Sequence, residues 1–279
     1  MSEATWTKTI GRVAFINCDP LFHDLGPQWN VLAAPPSWLT GHVLRRDCIL
    51  APIPAADYAK HADELVLLPD IGIGSQGEVG SVLLFGAVPL TSMKTIALPS
   101  DSATSVALLK HLISRQGLDM NYIQTGPDYD SMMSIADGAL LIGDRALEAA
   151  REVPEMVQLD LGTAWMDAEQ LPMIFGVFVA RRDTPVELLK EAHAALLSNL
   201  VHFENDRDKR SAVIEWSMGK SDLSFERLDQ YYGEVFNRLN EHHLSGLFRF
   251  LQEACGMGST PEFAWTSADV CLKKPTVGS

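Results

Sequence analysis

The stretch TIALPSDSATSVALLKHLISRQG, residues 95–117, decides the fold. Thr95–Leu98 is a short apolar run of the kind found in buried strands. It breaks at Pro99, passes through Ser100-Asp101-Ser102, and becomes a helix from about Ala103 to Arg115. Val106, Leu109, Leu112 and Ile113 fall on one face of that helix, and Gly117 follows its end. Strand, hydroxyl-rich turn and helix in succession form the unit of an α/β fold.

Working outward, the same grammar repeats. Upstream lie strand candidates Val13–Ile16, Asn30–Ala33, Cys48–Ile53, Leu65–Leu68 and Ser81–Phe85, with a connecting helix over Ser37–Arg46. Downstream lie Tyr122–Thr125, Ala139–Ile142, Val157–Leu159 and a long apolar strand over Met173–Ala180. The last third reads as helices. One follows the capping box Thr184-Pro185-x-Glu187, with Pro185 at its first position. Another starts near Ser224 and buries Leu228, Tyr232, Val235, Phe236 and Leu239, and a third runs from about Ser245 to Gly256. The segment Gly258–Ser279 has no clear period and reads as loose or laid over the surface.

Two β/α sets followed by helices give two α/β lobes. Lys94–Ala97 and Phe178–Arg182 read as the passages between them. Lobe I is then residues 1–93 and 180–279, and lobe II is residues 94–179. Ligands of such folds sit in the crevice outside the carboxyl ends of the strands.

Composition narrows the function. Hydrophobic residues are 47% and charged residues 21% of the 279, as in an ordinary globular protein. The net charge of −14 argues against nucleic acid and anionic membranes as partners. No apolar run approaches the roughly 18 residues of a membrane span. Met1–Lys8 lacks the apolar stretch of a secretory signal. Cys18, Cys48, Cys255 and Cys271 form no metal-binding spacing, so a reduced, cytoplasmic protein without a metal is expected.

Several segments could carry chemistry. Gly72-Ile73-Gly74-Ser75-Gln76-Gly77 matches a dinucleotide fingerprint by letter, but a strand follows it where a helix should open. It reads instead as a glycine loop with positive φ, whose amides can face an anion. Asn17 ends the first strand, and both a turn formed by Asn17 or Asp19 before Pro20 and a ligand contact fit it. Ser102, Thr104 and Ser105 sit at a helix N-terminus, where hydroxyls and amides can hold a carboxylate. Capping by Ser102 alone is the simpler alternative, though it leaves Thr104 and Ser105 unexplained. Asp144, in Ile142-Gly143-Asp144-Arg145, is an N-cap or a site residue. His242 and His243 point about 100° apart on a helix and suit no shared metal.

Five ordered segments together carry a resemblance. They are Val13-x-x-Ile16-Asn17-x-x-Pro20-Leu21, Gly72-Ile73-Gly74-Ser75-x-Gly77-x-Val79-x-Ser81-Val82-x-Leu84, Ser102-x-Thr104-Ser105, Leu141-Ile142-Gly143-Asp144-x-Ala146-Leu147 and Asp160-Leu161-Gly162-x-x-Trp165. Over about residues 10 to 255 the chain resembles the menaquinone-pathway chorismate dehydratases of the futalosine route. The resemblance implies a two-lobed α/β fold of the periplasmic-binding-protein-like type 2 class, with a ligand cleft between the lobes. It implies a lyase that dehydrates the dicarboxylate chorismate to 3-[(1-carboxyvinyl)oxy]benzoate without a cofactor, as a monomer or homodimer. Asn17 and Ser81 would be catalytic, with Thr104 and Ser105 on a substrate carboxylate and Ser102, Gly74, Ser75 and Asp144 as further binding residues. Ala55 departs from the pattern, since a serine is expected after Ile53-Pro54. Two alternatives stand beside this reading. One is a small-anion solute-binding protein, and the other is the sister enzyme acting on a later futalosine-derived intermediate.

Overall fold

The computed structural model describes residues 3–266. Its strands are β1 Thr9–Val13, β2 Asn30–Ala34, β3 Ala51–Pro54, β4 Leu65–Ser75, β5 Val82–Gly86, β6 Thr95–Pro99, β7 Asn121–Thr125, β8 Gly138–Ile142, β9 Val157–Asp160, β10 Met173–Arg181 and β11 Val235–Arg238. One sheet has the order β11-β4-β10-β3, and a parallel β1-β2 pair extends it. The join is made by Ile49 N donating to Thr9 O and Gly11 N donating to Leu50 O, both at 2.8 Å. The other sheet has the order β7-β6-β8-β5-β9. There β7, β6 and β8 are parallel, while β5 runs antiparallel to β8 and β9.

The strand pairing moves the passages between lobes. Thr95–Ala97 lies inside β6, bonded to β7, and Phe178–Arg181 lies inside β10, bonded to its neighbours in the first sheet. The chain changes sheets between β4 and β5 and returns between β9 and β10. We therefore propose a lobe II that runs from β5 to β9, rather than over residues 94–179. The reason is topological. β5 pairs with partners more than fifty positions away, which a reading of successive β/α units cannot foresee.

Both faces of the second sheet are covered. In β5, Val82 and Leu84 join the main core while Leu83 and Phe85 join a smaller cluster on the opposite face. Continuous apolar runs follow from that two-sided burial. The helix Ala103–Arg115 forms where the sequence places it and buries Leu108, Leu109, Leu112 and Ile113.

The C-terminal third differs from expectation at four points. Pro185 is the N-cap of Val186–Asn205 and no side chain caps that helix, so the Thr184 capping box is not formed. The helix Phe225–Glu234 is capped by Ser224 as expected, but it stops before Val235. Val235–Arg238 becomes β11 and covers the free edge of β4, where exposed backbone groups would otherwise be left unpaired. The last helix is Glu241–Glu253, closed by a capping box between Asn240 and His243. A further helix, Arg207–Met218, has no counterpart in the sequence reading; Asp206 caps it.

Part of the segment after Gly258 is docked. Leu67 N donates to Glu262 O and Ala264 N donates to Leu67 O, both at 2.8 Å. Phe263 packs on the core and the Trp265 ring meets His193 at 5.1 Å. The remainder of the expectation, including Cys271, lies outside the described residues. Cys18, Cys48 and Cys255 are free thiols. Among the described residues, no helix is long and apolar enough to cross a membrane, and no His, Cys, Asp and Glu cluster could hold a metal ion.

Candidate active site

A cleft opens where the carboxyl ends of β1, β3 and β8 meet the N-terminus of Ala103–Arg115. Its empty space, counted out through the open mouth and so including solvent, is about 580 Å³. Asn17, Ser81, Ser102, Thr104 and Ser105 line it, with Gly74 and Gly143. Its other walls are apolar, including Phe15, Phe175, Val235 and prolines. Among the described residues, no lining side chain is ionisable.

Asn17 lies in a 3-10 turn, Ile16–Cys18, just past the end of β1. Its main chain is used, since Asn17 O accepts from Asn237 Nδ2 at 3.2 Å. Its side-chain Oδ1 is buried without a hydrogen-bond partner. A buried polar atom left unpaired costs about 1–3 kcal/mol. An unpaired amide oxygen at the wall of a cleft is therefore an acceptor open to a ligand. Of the two readings open for Asn17, ligand contact fits this geometry.

The turn itself is held by charge. Asp19 is fully buried and receives Arg12, Lys220 Nζ at 2.5 Å and Ser217 Oγ at 2.6 Å. Tyr232 OH lies 2.6 Å from Ser217 Oγ and donates to Ile16 O at 3.1 Å. Asp19 thus anchors an ionic network rather than a local turn.

Ser81 is 3% exposed and ends the connection into β5. Its Oγ accepts from Tyr231 OH at 2.9 Å, and its carbonyl accepts from Gly143 N at 2.7 Å. The connection is pinned by Asp160, which accepts from Val79 N and from Gly80 N at 2.8 Å while capping the helix Leu161–Glu169 through Thr163 N. Gly162 follows because a Cβ there would sit 2.3 Å from Gly77 O. The Asp160-Leu161-Gly162 motif is therefore a clamp on the passage between sheets.

At the helix N-terminus, Ser102 makes no capping hydrogen bond with its side chain. Simple capping is excluded, and the hydroxyl is left beside the cleft. Val106 N is the first amide to reach back, to Ser102 O at 3.2 Å, so the amides of the preceding turn point outward. Thr104 Oγ1 accepts from Ala56 N at 3.1 Å and retains its own proton for a ligand. Ala55 is fully buried and does not line the cleft.

Three expected binding residues stand differently. Gly74 lines the cleft, but it lies inside β4, paired with Ile174 and Phe236, not in a loop. A Cβ there would come within 2.6 Å of Met173 O, so close sheet contact, not positive φ, requires this glycine. Ser75 is fully buried and donates to Gly77 O at 2.9 Å, closing the turn after β4. Asp144 does not line the cleft either. Its Oδ1 accepts from Ile16 N at 3.1 Å, and Gly143 rather than Asp144 is the N-cap of its helix. Burial raises the Asp144 carboxyl to about 6. The adjacent Arg145 pairs with Asp101 at 2.6 Å and lies 5.2 Å from the ring of Phe15, a cleft-lining residue.

Sequence reading does not find Tyr231, Tyr232 or Asn237 as supports of the site, and it offers Asp19 only as a turn former. Tyr232 reads as core in the sequence, and both tyrosines are buried. No local signal marks Asn237, which sits between Phe236 and Arg238.

Comparison with known proteins follows from this geometry. A family model described as menaquinone biosynthesis matches residues 8–255. A chorismate dehydratase of Thermus thermophilus is 35% identical over 231 residues, spanning 73% of this chain and 83% of that protein. Among solved structures, a protein of Archaeoglobus fulgidus superposes with a TM-score of 0.71 at 19% identity, covering 90% of this chain and 97% of that one. A Candida albicans protein described as having the generic periplasmic binding protein fold gives 0.64 at 10% identity, covering 90% and 91%. The alkanesulfonate-binding protein of Xanthomonas axonopodis gives 0.63 at 13% identity, covering 88% and 93%. These structures share the fold, which is periplasmic-binding-protein-like.

Proposed function

The chain belongs to the menaquinone-biosynthesis family, and from that premise we propose that it is a lyase that dehydrates chorismate to 3-[(1-carboxyvinyl)oxy]benzoate. The observation that carries this reading is the cleft. It is a partly enclosed cleft lined by neutral donors, in a chain 35% identical to a chorismate dehydratase. A pure solute binder is less well supported, because the binding-protein likeness lies at 10–13% identity and concerns the fold alone.

Chorismate carries two carboxylates, a C3 hydrogen and a C4 hydroxyl. Removing that hydrogen and hydroxyl makes the ring aromatic, so the reaction runs strongly downhill. The C3–H is vinylogous to the ring carboxylate. Donors that stabilise this carboxylate raise its acidity. In our reading Thr104, Ser105, Ser102 and the amides at the start of Ala103–Arg115 hold it, using a helix N-terminus in place of a cation.

No cleft side chain is ionisable, so the base is assigned to the substrate. The enolpyruvyl carboxylate takes the C3 proton. The C3–H electron pair forms the new ring double bond as the C4 hydroxyl departs, and hydroxyl plus proton leave as water. Asn17 orients the enolpyruvyl arm by donating from its carboxamide Nδ2, and Ser81 donates to the departing hydroxyl. Holding that arm away from the ring carbon it would attack suppresses the competing rearrangement. Asp144 and Ser75 act at one remove, fastening Ile16 and the turn after β4. This reading implies a cytoplasmic enzyme.

The test is turnover of chorismate by Asn17→Ala and Ser81→Ala variants whose circular dichroism matches the parent. Each is expected to lose about 10²–10³ in kcat, the usual cost of one preorganised donor. Near-normal turnover in both would refute the site.

A further inference from the structure

We infer that the tandem pair Tyr231-Tyr232 is the positioning element of this site, with Tyr231 fixing the direction of the Ser81 proton; this rests on the dehydratase reading.

Tyr231 and Tyr232 are consecutive in the helix Phe225–Glu234, yet one hydroxyl reaches Ser81 and the other the residue before Asn17. Tyr231 OH is 2.9 Å from Ser81 Oγ, and Tyr232 OH is 3.1 Å from the carbonyl of Ile16, beside Asn17. The two groups come from different sheets, one just past the end of β1 and one at the start of β5. One helical turn therefore sets their relation to each other.

Tyr231 is fully buried, and Ser81 Oγ is the partner its hydroxyl has among the described residues. Burial keeps the phenol protonated well above its ordinary range. A buried O–H must donate, so Ser81 accepts. With its lone pair engaged from behind, the serine turns its own proton into the cleft that it lines. A serine without this partner could point its proton back into the protein or sample several rotamers. Tyr231 thus converts an adaptable hydroxyl into a fixed donor for the leaving group. It touches no substrate itself, since it does not line the cleft.

Two measurements decide this. Tyr231→Phe should lower kcat about tenfold while KM stays within about twofold, the size of one lost hydrogen bond. In a Ser81→Ala background the same change should cost nothing further, because its effect passes through Ser81. Equal losses in both backgrounds, or no loss in the parent, overturn the inference. Crystal structures supply a readout that does not depend on the substrate. Ser81 should hold one rotamer facing Tyr231 OH in the parent and leave it in Tyr231→Phe. An unchanged rotamer overturns the inference even if chorismate proves not to be the substrate. Absent chorismate turnover in the parent would defeat the dehydratase reading instead.

Discussion

Replacing Asp144 by asparagine should stabilise the protein at neutral pH and hardly at all in acid. The carboxyl of Asp144 is pushed from 3.8 to about 6, first by burial and then by the nearby Asp19 and Glu148, against the Ile16 amide and Lys220. Folded, it binds a proton more tightly than it does unfolded. Its contribution is therefore most favourable below about pH 4, declines as pH rises to about 6, and stays at its least favourable level above that. At about 1.4 kcal/mol per pH unit, the full penalty is about 3 kcal/mol at pH 7.5 and under about 1 kcal/mol at pH 4. A carboxamide keeps an acceptor for Ile16 N without the charge. For a chain of this size Asp144→Asn should raise the melting temperature by roughly 6–10 °C at pH 7.5, with little change near pH 4. Thermal unfolding followed by circular dichroism across that range reads both numbers. A variant less stable than the parent at every pH would refute the reasoning, because Asp144 would then be a favourable anchor rather than a strained one.

Other outcomes follow from the same geometry. Asp19→Asn leaves Arg12 and Lys220 facing a neutral group in a buried network, and urea titration should show a loss of about 3–5 kcal/mol. Thr104→Val removes both the acceptor for Ala56 N and a carboxylate donor, so steady-state kinetics should show KM rising about tenfold with a smaller fall in kcat. Gly162→Ala drives a methyl into Gly77 O and Ser75 Oγ, and its melting curve should show a cost of at least about 1–3 kcal/mol.

What the sequence made legible follows the range of the interactions. The helix Ala103–Arg115 and strands β6 to β10 fall close to expectation because local periodicity and buried apolar runs set them. β4 extends through Gly72 and Gly74, where a loop was expected, because its partners β10 and β11 are remote in sequence. Val235–Arg238 reads as helix locally, yet the open edge of β4 draws it into a strand. Asn17, Ser102, Thr104 and Ser105 draw attention in the sequence because each sits just past a strand or at the start of a helix, whereas Ser81, at the start of β5, stands out only through the family resemblance. Their supports were not. Tyr231 looks like any apolar helix position until the fold brings it to a residue 150 positions away. Ser75 and Asp144 carry hydroxyl and carboxylate groups in the right motifs, but the fold turns both toward backbone partners.

The central claim is tested most directly by mixing the purified protein with chorismate and following the ring protons by NMR. The account predicts that the diene signals give way to those of a meta-substituted benzoate that still carries its enol ether, with one water released per turnover. Chorismate bound tightly and recovered unchanged, or converted only to its rearrangement product, would contradict it.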